Sequence, residues 1–387
     1  MKKIGIVTHY YKSKNYGGNL QAYALCEFLN KNYIAEQICY NQECSKSDYK
    51  KYLKSPIVFV KKVCRKCWAK FKKVINRKNA KKIELLLEER NRKFTEFNKG
   101  ICHSTIVYNE YSINQALKEY DLFITGSDQV WHPAAVNDAY LLNFVQGKPK
   151  FSYAASLSVD SLTPQDEERM RQALEDYTAI SVREESAVSL LQPLAKQPVV
   201  WVLDPVFLLS KEEWSSFPCD INIEKKYLLC YFLGGDKKAR RLAKEYAKKY
   251  DLQLVNIAYA SGEYNQADRM FGDMKLIDVS PTDFVALIKN AELIFTDSFH
   301  AMAYSLIFEK NYFVFTRKNG FKMGSRIYSL SKLYQTENRF CNTKERMSLI
   351  YLENVESIDY HKPNELFEAK KKETLMFLEN CLRKAGE

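Results

Sequence analysis

Short apolar runs recur along this chain, and most empty into a glycine- or hydroxyl-rich loop that leads into a helix-periodic segment. Lys3–Thr8 passes through Ser13-Lys14-Asn15-Tyr16-Gly17-Gly18 to Leu20, Ala24, Leu25, Phe28 and Leu29 at helical spacing. Further strand candidates are Leu122–Thr125, Phe151–Ala155, Ala179–Val182, Val199–Leu203, Tyr227–Leu233, Leu252–Asn256, Leu293–Thr296 and Tyr312–Phe315. Between them lie the helical patterns Pro164–Tyr177, Glu184–Leu191, Lys237–Lys249, Pro281–Asn290 and Ala301–Glu309. Pro164 and Pro281 each follow a Thr or Ser, the arrangement of a first-turn proline behind a hydroxyl cap. Parallel strands need a long crossover, usually a helix, so this alternation predicts parallel sheets covered by helices on both faces.

The expected class is α/β, with two Rossmann-like doubly wound domains facing a cleft. The first spans 1–197 and contains a basic helical insert at about 50–100; the second spans 198–335. A tail over 336–387 ends in a helix pattern through Phe377, Leu378, Cys381 and Leu382, able to pack back on the domains. In such sheets ligands bind beyond the carboxyl ends of the strands.

Charge is concentrated. Residues 50–100 hold 18 Lys and Arg against 4 Asp and Glu, leaving 41 basic and 43 acidic residues elsewhere. A nucleic-acid binder would carry positive charge on its main fold, so none is expected as a partner. Apolar runs such as Ile57–Val60 and Val206–Leu209 are far too short to span a bilayer. Met1–Thr8 enters a strand pattern with no apolar leader core, and the ten cysteines lack a framework spacing. These features predict a cytoplasmic protein with reduced thiols.

The loops after the strands carry the chemistry. His9 is followed by Asn15-Tyr16-Gly17-Gly18-Asn19-Leu20-Gln21, where paired glycines admit close backbone approach to a ligand or simply make a turn. Thr125-Gly126-Ser127-Asp128-Gln129-Val130-Trp131 offers hydroxyl, acid, amide and stacking groups suited to a sugar, unless Asp128 only caps a helix. Arg183 stands at a strand end, free to grip a carboxylate or phosphate or to pair with Glu184 at the surface. Thr296-Asp297-Ser298-Phe299-His300 sets an imidazole at a strand–helix junction, where the helix dipole lowers its proton affinity. His300 could equally be structural and Asp297 a cap. Arg317, Lys318, Lys322 and Arg326 surround the loop Asn319–Gly324 with positive charge, which suits an anionic small molecule. No Asp, Glu and His cluster has metal-ligand spacing, and no metal or cofactor is expected.

At these residues the sequence resembles the polysaccharide pyruvyl transferase family. The blocks are N-Y-G-G-N-L-Q-A from Asn15, G-S-D-Q-V-W from Gly126, S-Y-A-A-S from Ser152 and V-R-E-E-S from Val182. L-D-P at Leu203–Pro205, T-D-S-F-H at Thr296–His300 and S-R-I at Ser325–Ile327 follow in the family order, over about Lys3 to Gln335. The resemblance implies a fold similar to the two-domain B-type glycosyltransferases. It also implies transfer of the enolpyruvyl unit of phosphoenolpyruvate onto two sugar hydroxyls, leaving a cyclic ketal. The donor is expected in the C-terminal domain, held by Arg183, Arg326, Ser298 and Asp297. The saccharide is expected in the N-terminal one, against Asn15, Tyr16, Gly17, Gly18, Ser127, Gln129 and Trp131. His300 is the expected acid that later becomes a base, with Asp128 or His9 activating the acceptor. Many members have Arg-Leu-His-Gly where this chain has Ser298-Phe299-His300-Ala301, so Arg326 or Arg183 must supply the missing arginine's contact.

Two other readings keep the fold: a nucleotide-sugar glycosyltransferase, and a non-catalytic saccharide-binding homologue. Stabilisation by phosphoenolpyruvate rather than by nucleotide sugars separates the first from pyruvyl transfer. In the insert, Val60, Cys64, Cys67, Trp68, Phe71, Val74 and Ile75 recur among lysines and arginines, a cationic amphipathic pattern over about 57–78. Such a segment suits the anionic inner face of a plasma membrane, where a lipid-linked acceptor would lie, or a helix packed on the domain with its basic face solvated. The pair Cys64 and Cys67 has no second half and reads as helix-face thiols rather than a zinc site. The membrane reading predicts salt-sensitive flotation with anionic liposomes, weakened when the insert lysines are neutralised. Equal binding to neutral vesicles contradicts it.

Overall fold

The computed structural model describes residues 2–42, 77–260, 264–317 and 324–384. Residues 43–76, which include Cys64, Cys67 and nearly all of the amphipathic segment at 57–78, lie outside the described residues, as do Lys318 and Lys322.

Two parallel sheets are built on one plan. In the first, β1 (Lys3–Val7) is central, flanked by β2 (Ile34–Tyr40) and β3 (His103–Tyr108) on one side. On its other side lie β4 (Leu122–Thr125) and β5 (Lys150–Ser152). Backbone bonds from Ser152 N to Ala179 O and from Ala155 N to Ser181 O carry the sheet on to the pair β6 (Ile180–Val182) and β7 (Val199–Trp201). The second sheet runs β10 (Met274–Leu276), β9 (Gln253–Ile257), β8 (Tyr227–Tyr231), β11 (Leu293–Thr296), β12 (Tyr312–Phe315), β13 (Phe340–Cys341). In each sheet the first strand is central and strand order reverses beside it. Val7 pairs with Thr125 and Tyr231 with Thr296, so the loops after β1 and β4, and those after β8 and β11, leave their sheets side by side. These are the two positions where doubly wound sheets bind ligands.

The proline helices begin as expected: Thr163 with Asp166, and Ser280 with Asp283, form capping boxes ahead of Pro164 and Pro281. Neither Asp128 nor Asp297 caps a helix; Ser298 is the cap of Phe299–Ile307. The second unit extends past residue 335, because β13 adds to its edge and Leu352 of the helix Leu349–Asn354 packs with Leu242 and Ala243. A two-residue strand leaves no periodicity to read.

The lobes share a core. Tyr16, Leu20 and Ala24 of the first unit's helix Tyr16–Asn30 cluster with Phe284, Ile288 and Tyr304 of the second. The Tyr16 ring stacks on Phe284 with centroids 4.4 Å apart, and its hydroxyl donates to Val279 O at 3.0 Å. Within the insert, the helix Arg77–Lys99 braces this junction. Arg90 is buried, donates to Lys14 O at 2.7 Å and lies 5.0 Å from the Tyr16 ring, while Lys93 reaches Asp278 at 3.7 Å. The tail helix His361–Lys384 returns to the first unit, where Leu378, Cys381 and Leu382 join Ile4, Ile6 and Leu25. Among the described residues no helix is long and apolar enough to cross a membrane.

Leu378 is 1% exposed, and Met376 on the same helix 53%. Leu378→Ala is expected to cost about 2–5 kcal/mol of stability in denaturant titration, against about 0.5 kcal/mol for Met376→Ala. Equal effects would contradict the return packing.

Candidate active site

The four loops meet at a cleft of about 130 Å³, open to solvent, with Asn15, Gly17, Asp128 and Gln129 on one wall and Ser298, Phe299, His300, Arg317 and Arg326 on the other. Asn15 caps the first helix by accepting from Gly17 N at 2.9 Å and Gly18 N at 3.5 Å. The absence of a side chain at Gly17 matters most: a Cβ there would lie 1.9 Å from His300 Nδ1. Glycine lets the imidazole of one lobe rest against the backbone of the other. Gly126 has φ +110°, and a Cβ on it would meet Tyr153 O at 2.2 Å, so the loop that presents Asp128 also requires glycine. Gln21 ties the loops after β1 and β4 together: its amide donates to Thr8 Oγ1 at 3.0 Å and accepts from Ser127 N at 3.0 Å.

Behind the cleft wall lies a buried charge cluster. Asp204, in the turn after β7, accepts from Arg183 Nη1 at 2.7 Å through Oδ2, with Ser127 Oγ 3.1 Å from the same oxygen. His300 Nε2 is 3.7 Å from that oxygen and has no hydrogen-bond partner. Arg183 Nη2 lies 3.7 Å from Asp128 Oδ1, and the guanidinium sits 4.7 Å from the Phe299 ring, with that of Arg326 at 5.8 Å. Arg183 therefore turns inward to Asp204 and does not form the surface pair with Glu184. Glu184 instead accepts from the backbone N–H groups of Leu157 and Ser158, each at 2.8 Å. Among the described residues, Arg183 Nε and Nη2 and Arg326 Nε are buried without a hydrogen-bond partner. Unspent guanidinium donors are what an incoming carboxylate or phosphate needs.

Proton affinities follow from burial and charge. Desolvation lowers the His300 pKa to about 4, with Arg183 and Arg326 adding to the effect and Asp204 and Asp128 opposing it. The imidazole is neutral at pH 7. Asp128 is pushed up by burial, but Arg183, His9, His300 and Arg326 outweigh this and hold it below the usual carboxylate range. Burial, with Arg183 alongside, lowers Arg326 to about 10. It also lowers His9 against the pull of Asp128.

Several expected ligand-binding residues are occupied elsewhere. Trp131 is buried, its indole N–H donating to Tyr140 O at 3.2 Å, so it is core and offers no stacking face. Ser127 is fully buried in the Asp204 cluster, with Oγ also donating to Ala154 O at 2.8 Å. The Tyr16 hydroxyl is used at the lobe junction. A Cβ on Gly18 would lie 2.7 Å from His9 O, so that glycine serves loop packing. Asp297 accepts from Leu233 N at 2.7 Å and Gly234 N at 2.8 Å and stitches the two C-terminal loops together, with Arg317 Nε 3.3 Å away. His9 packs edge-on to Tyr140, ring centroids 4.3 Å apart, beside Asp128. Sequence reasoning missed Asp204 and Glu184 as members of the cluster. An acid within the otherwise apolar stretch Val199–Leu209 was the available signal for Asp204. Among the described residues no group of three or more His, Cys, Asp and Glu is placed to hold a metal ion.

The family model for polysaccharide pyruvyl transferases matches residues 15–319, a span that contains the cleft glycines, Asp128, Arg183, Asp204 and His300. The chain belongs to that family. It is accordingly a transferase. No curated protein matches it significantly. Among solved structures, the S. aureus MnaA–UDP complex is similar at TM-score 0.55 and 14% identity, covering 94% of this chain and 91% of that one. UDP-GlcNAc 2-epimerase of Methanocaldococcus jannaschii with UDP-GlcNAc and UDP gives 0.53 and 14%, covering 97% and 99%. The Rickettsia bellii UDP-N-acetylglucosamine 2-epimerase gives 0.51 and 11%, covering 98% and 96%. At these identities the likeness shows the fold: two facing Rossmann-like lobes, as in B-type glycosyltransferases. Within this pyruvyl transferase family member, Ser298 fills the place of the arginine common in the motif, and Arg183, Arg317 and Arg326 are the guanidinium groups around the cleft with nitrogens that lack a hydrogen-bond partner among the described residues.

His300 has a folded pKa of about 4 against 6.5 unfolded, so between those values only the unfolded chain holds the proton. Stability is then lost as pH falls from 6.5 to 4, by about 3 kcal/mol from this group. Denaturant titrations at stepped pH are expected to show that slope reduced in His300→Gln, and in Gly17→Ala, whose methyl expels the ring. An unchanged slope in both variants would contradict the buried neutral imidazole.

Proposed function

We propose that this transferase moves the enolpyruvyl unit of phosphoenolpyruvate onto two hydroxyls of a saccharide in a surface polysaccharide or its lipid-linked precursor, releasing phosphate. The observation that carries this reading is the set of unpartnered guanidinium N–H groups of Arg183 and Arg326 beside a neutral imidazole, in a member of this family. The donor carries a carboxylate and a phosphate. Each charge-assisted hydrogen bond to them adds about 1.5–3 kcal/mol.

The neutral state of His300 changes the order of proton steps expected from the sequence. An imidazole with a pKa of about 4 does not arrive as an acid. It begins as a base. It takes the proton of the first sugar hydroxyl as that oxygen bonds to C2 of the donor, and returns the same proton to C3, which becomes the methyl carbon. The addition needs no outside proton. Loss of phosphate then gives an oxocarbenium-like C2. His300 removes the second hydroxyl's proton as the ring closes, and that proton leaves with phosphate. The negative charge of the bound donor raises the imidazole's proton affinity toward the range where acid–base catalysis is efficient. Asp128, kept ionised by Arg183, is the acceptor-side carboxylate that fixes a sugar hydroxyl beside Gln129 and Asn15.

In this reading the protein works in the cytoplasm, and the segment at about 57–78 touches an anionic membrane surface and brings the enzyme to a lipid-linked acceptor. Neither a metal nor an organic cofactor takes part in the scheme.

Incubation of model saccharides with phosphoenolpyruvate and the protein is expected to add, by mass spectrometry, one pyruvate less one water. His300→Gln should lower that rate about 10²–10⁴-fold while the variant still melts cooperatively. Thermal stabilisation by nucleotide sugars but not by phosphoenolpyruvate, with no ketal formed, would replace this donor assignment.

A further inference from the structure

The Asp204 carboxylate is 1% exposed, and nothing in the pyruvyl-transfer scheme so far employs it. Its two oxygens do different work. Oδ1 accepts from Val206 N at 3.1 Å and anchors the turn after β7. Oδ2 faces three groups at once: Arg183 Nη1 at 2.7 Å, Ser127 Oγ at 3.1 Å and His300 Nε2 at 3.7 Å. The other ring nitrogen, Nδ1, lies against Gly17 on the acceptor wall of the cleft. The two nitrogens of His300 thus point to different chemical worlds, a buried carboxylate and the place where the saccharide would sit.

A neutral imidazole carries one N–H, and its position is set by the acceptor it faces. We infer that Asp204 is a positioning residue that holds neutral His300 as the Nε2–H tautomer, leaving the Nδ1 lone pair toward the cleft as the base. This rests on the pyruvyl-transfer reading for its role in turnover, but not for the tautomer itself. When Nδ1 takes the hydroxyl proton, an O–H bond breaks and an N–H bond forms. The hydroxyl oxygen's electron pair bonds to C2 as the C2=C3 π pair moves to C3, which takes the proton from Nδ1; while Nδ1 holds that proton, the imidazolium's charge is balanced by Asp204 at Nε2. The charged groups acting on the ring are Asp204 after β7, Arg183 after β6, Asp128 after β4 and Arg326 in the helix Gly324–Leu333. Among the described residues, Asp204 is the carboxylate placed within 4 Å of its Nε2. The same oxygen bonds Arg183 Nη1, while Nε and Nη2 keep no hydrogen-bond partner among the described residues. One buried acid therefore sets both the base and one donor-binding guanidinium, which Ser298 in the family arginine's place makes the more necessary.

The test is nitrogen NMR of the full-length protein labelled at its five histidines, with the His300 signals assigned by their loss in His300→Gln. The expected result at pH 7, without donor, is a protonated Nε2 and an unprotonated Nδ1. Asp204→Asn is expected to give a mixture of tautomers and a kcat about 100-fold lower. Its kcat acid limb should move to lower pH, since a negative charge is removed from beside the imidazole. A merely structural loss would expose the ring and move that limb up toward 6.5. Should Asp204→Asn fail to fold because Arg183 is left uncompensated, the wild-type tautomer decides alone. An Nδ1–H tautomer in the wild type, or an Asp204→Asn variant with unchanged tautomer and kcat, overturns the assignment. A protein that shows Nε2–H yet forms no ketal from phosphoenolpyruvate refutes the pyruvyl-transfer reading and leaves the tautomer assignment standing. One that forms the ketal with Nδ1–H refutes the Asp204 assignment alone.

Discussion

The contact between Gly17 of one lobe and the His300 imidazole of the other is the constraint on which the site depends. With only hydrogen atoms on the glycine Cα, the ring lies against the first turn of the helix Tyr16–Asn30; a methyl group would sit 1.9 Å from Nδ1. That approach closes the junction around the imidazole, and closure removes the water that would otherwise stabilise its charged form. The neighbouring Tyr16, stacked on Phe284, and the bracing helix through Arg90 hold the same junction from outside the cleft. Packing between lobes, through burial, sets the protonation state of His300.

Electrostatics complete what packing begins. Arg317, Arg326 and Asp128 line the cleft, and Arg183 and Asp204 form a buried pair behind its wall, with Asp297 beside Arg317. Arg183 pairs with Asp204 and Arg317 lies beside Asp297, and each such pairing uses up part of a guanidinium fork. What remains is a set of N–H donors with no hydrogen-bond partner among the described residues. Buried N–H groups are rarely left so, because each costs about 1–3 kcal/mol when it loses water without gaining a partner. In the proposed reaction the bound donor's anionic groups would meet those N–H groups and raise the proton affinity of His300.

Much of this was legible in the sequence, and the reasons differ by residue. β1, β4, β8, β11 and β12 are buried along nearly their whole length, so they read as unbroken apolar runs. β2 escaped because it carries Glu36 and Gln37; the latter is buried but spends its amide on Ala22 O at 2.8 Å, a bond no pattern reveals. β3 is an edge strand whose Ile106 and Val107 are exposed, so its alternation does not mark a buried face. The cleft residues Gly17, Asp128, Arg183 and His300 were found because strand ends on parallel sheets are where loops converge. Trp131 was misjudged because its polar neighbours suggest a binding loop, while its indole closes a core hydrogen bond. Asp204 was seen as part of a motif but not as a partner of His300, since that relation exists only once the two lobes meet.

The central claim is that the unspent guanidinium groups of this cleft bind the donor's anionic ends. Calorimetric titration of phosphoenolpyruvate into the wild type and Arg326→Gln tests it most directly, because that change leaves the buried Arg183–Asp204 pair intact. Loss of one charge-assisted contact worth about 1.5–3 kcal/mol should weaken binding by about 10- to 100-fold. Equal affinity in the two proteins, or no binding to the wild type at all, would contradict the account.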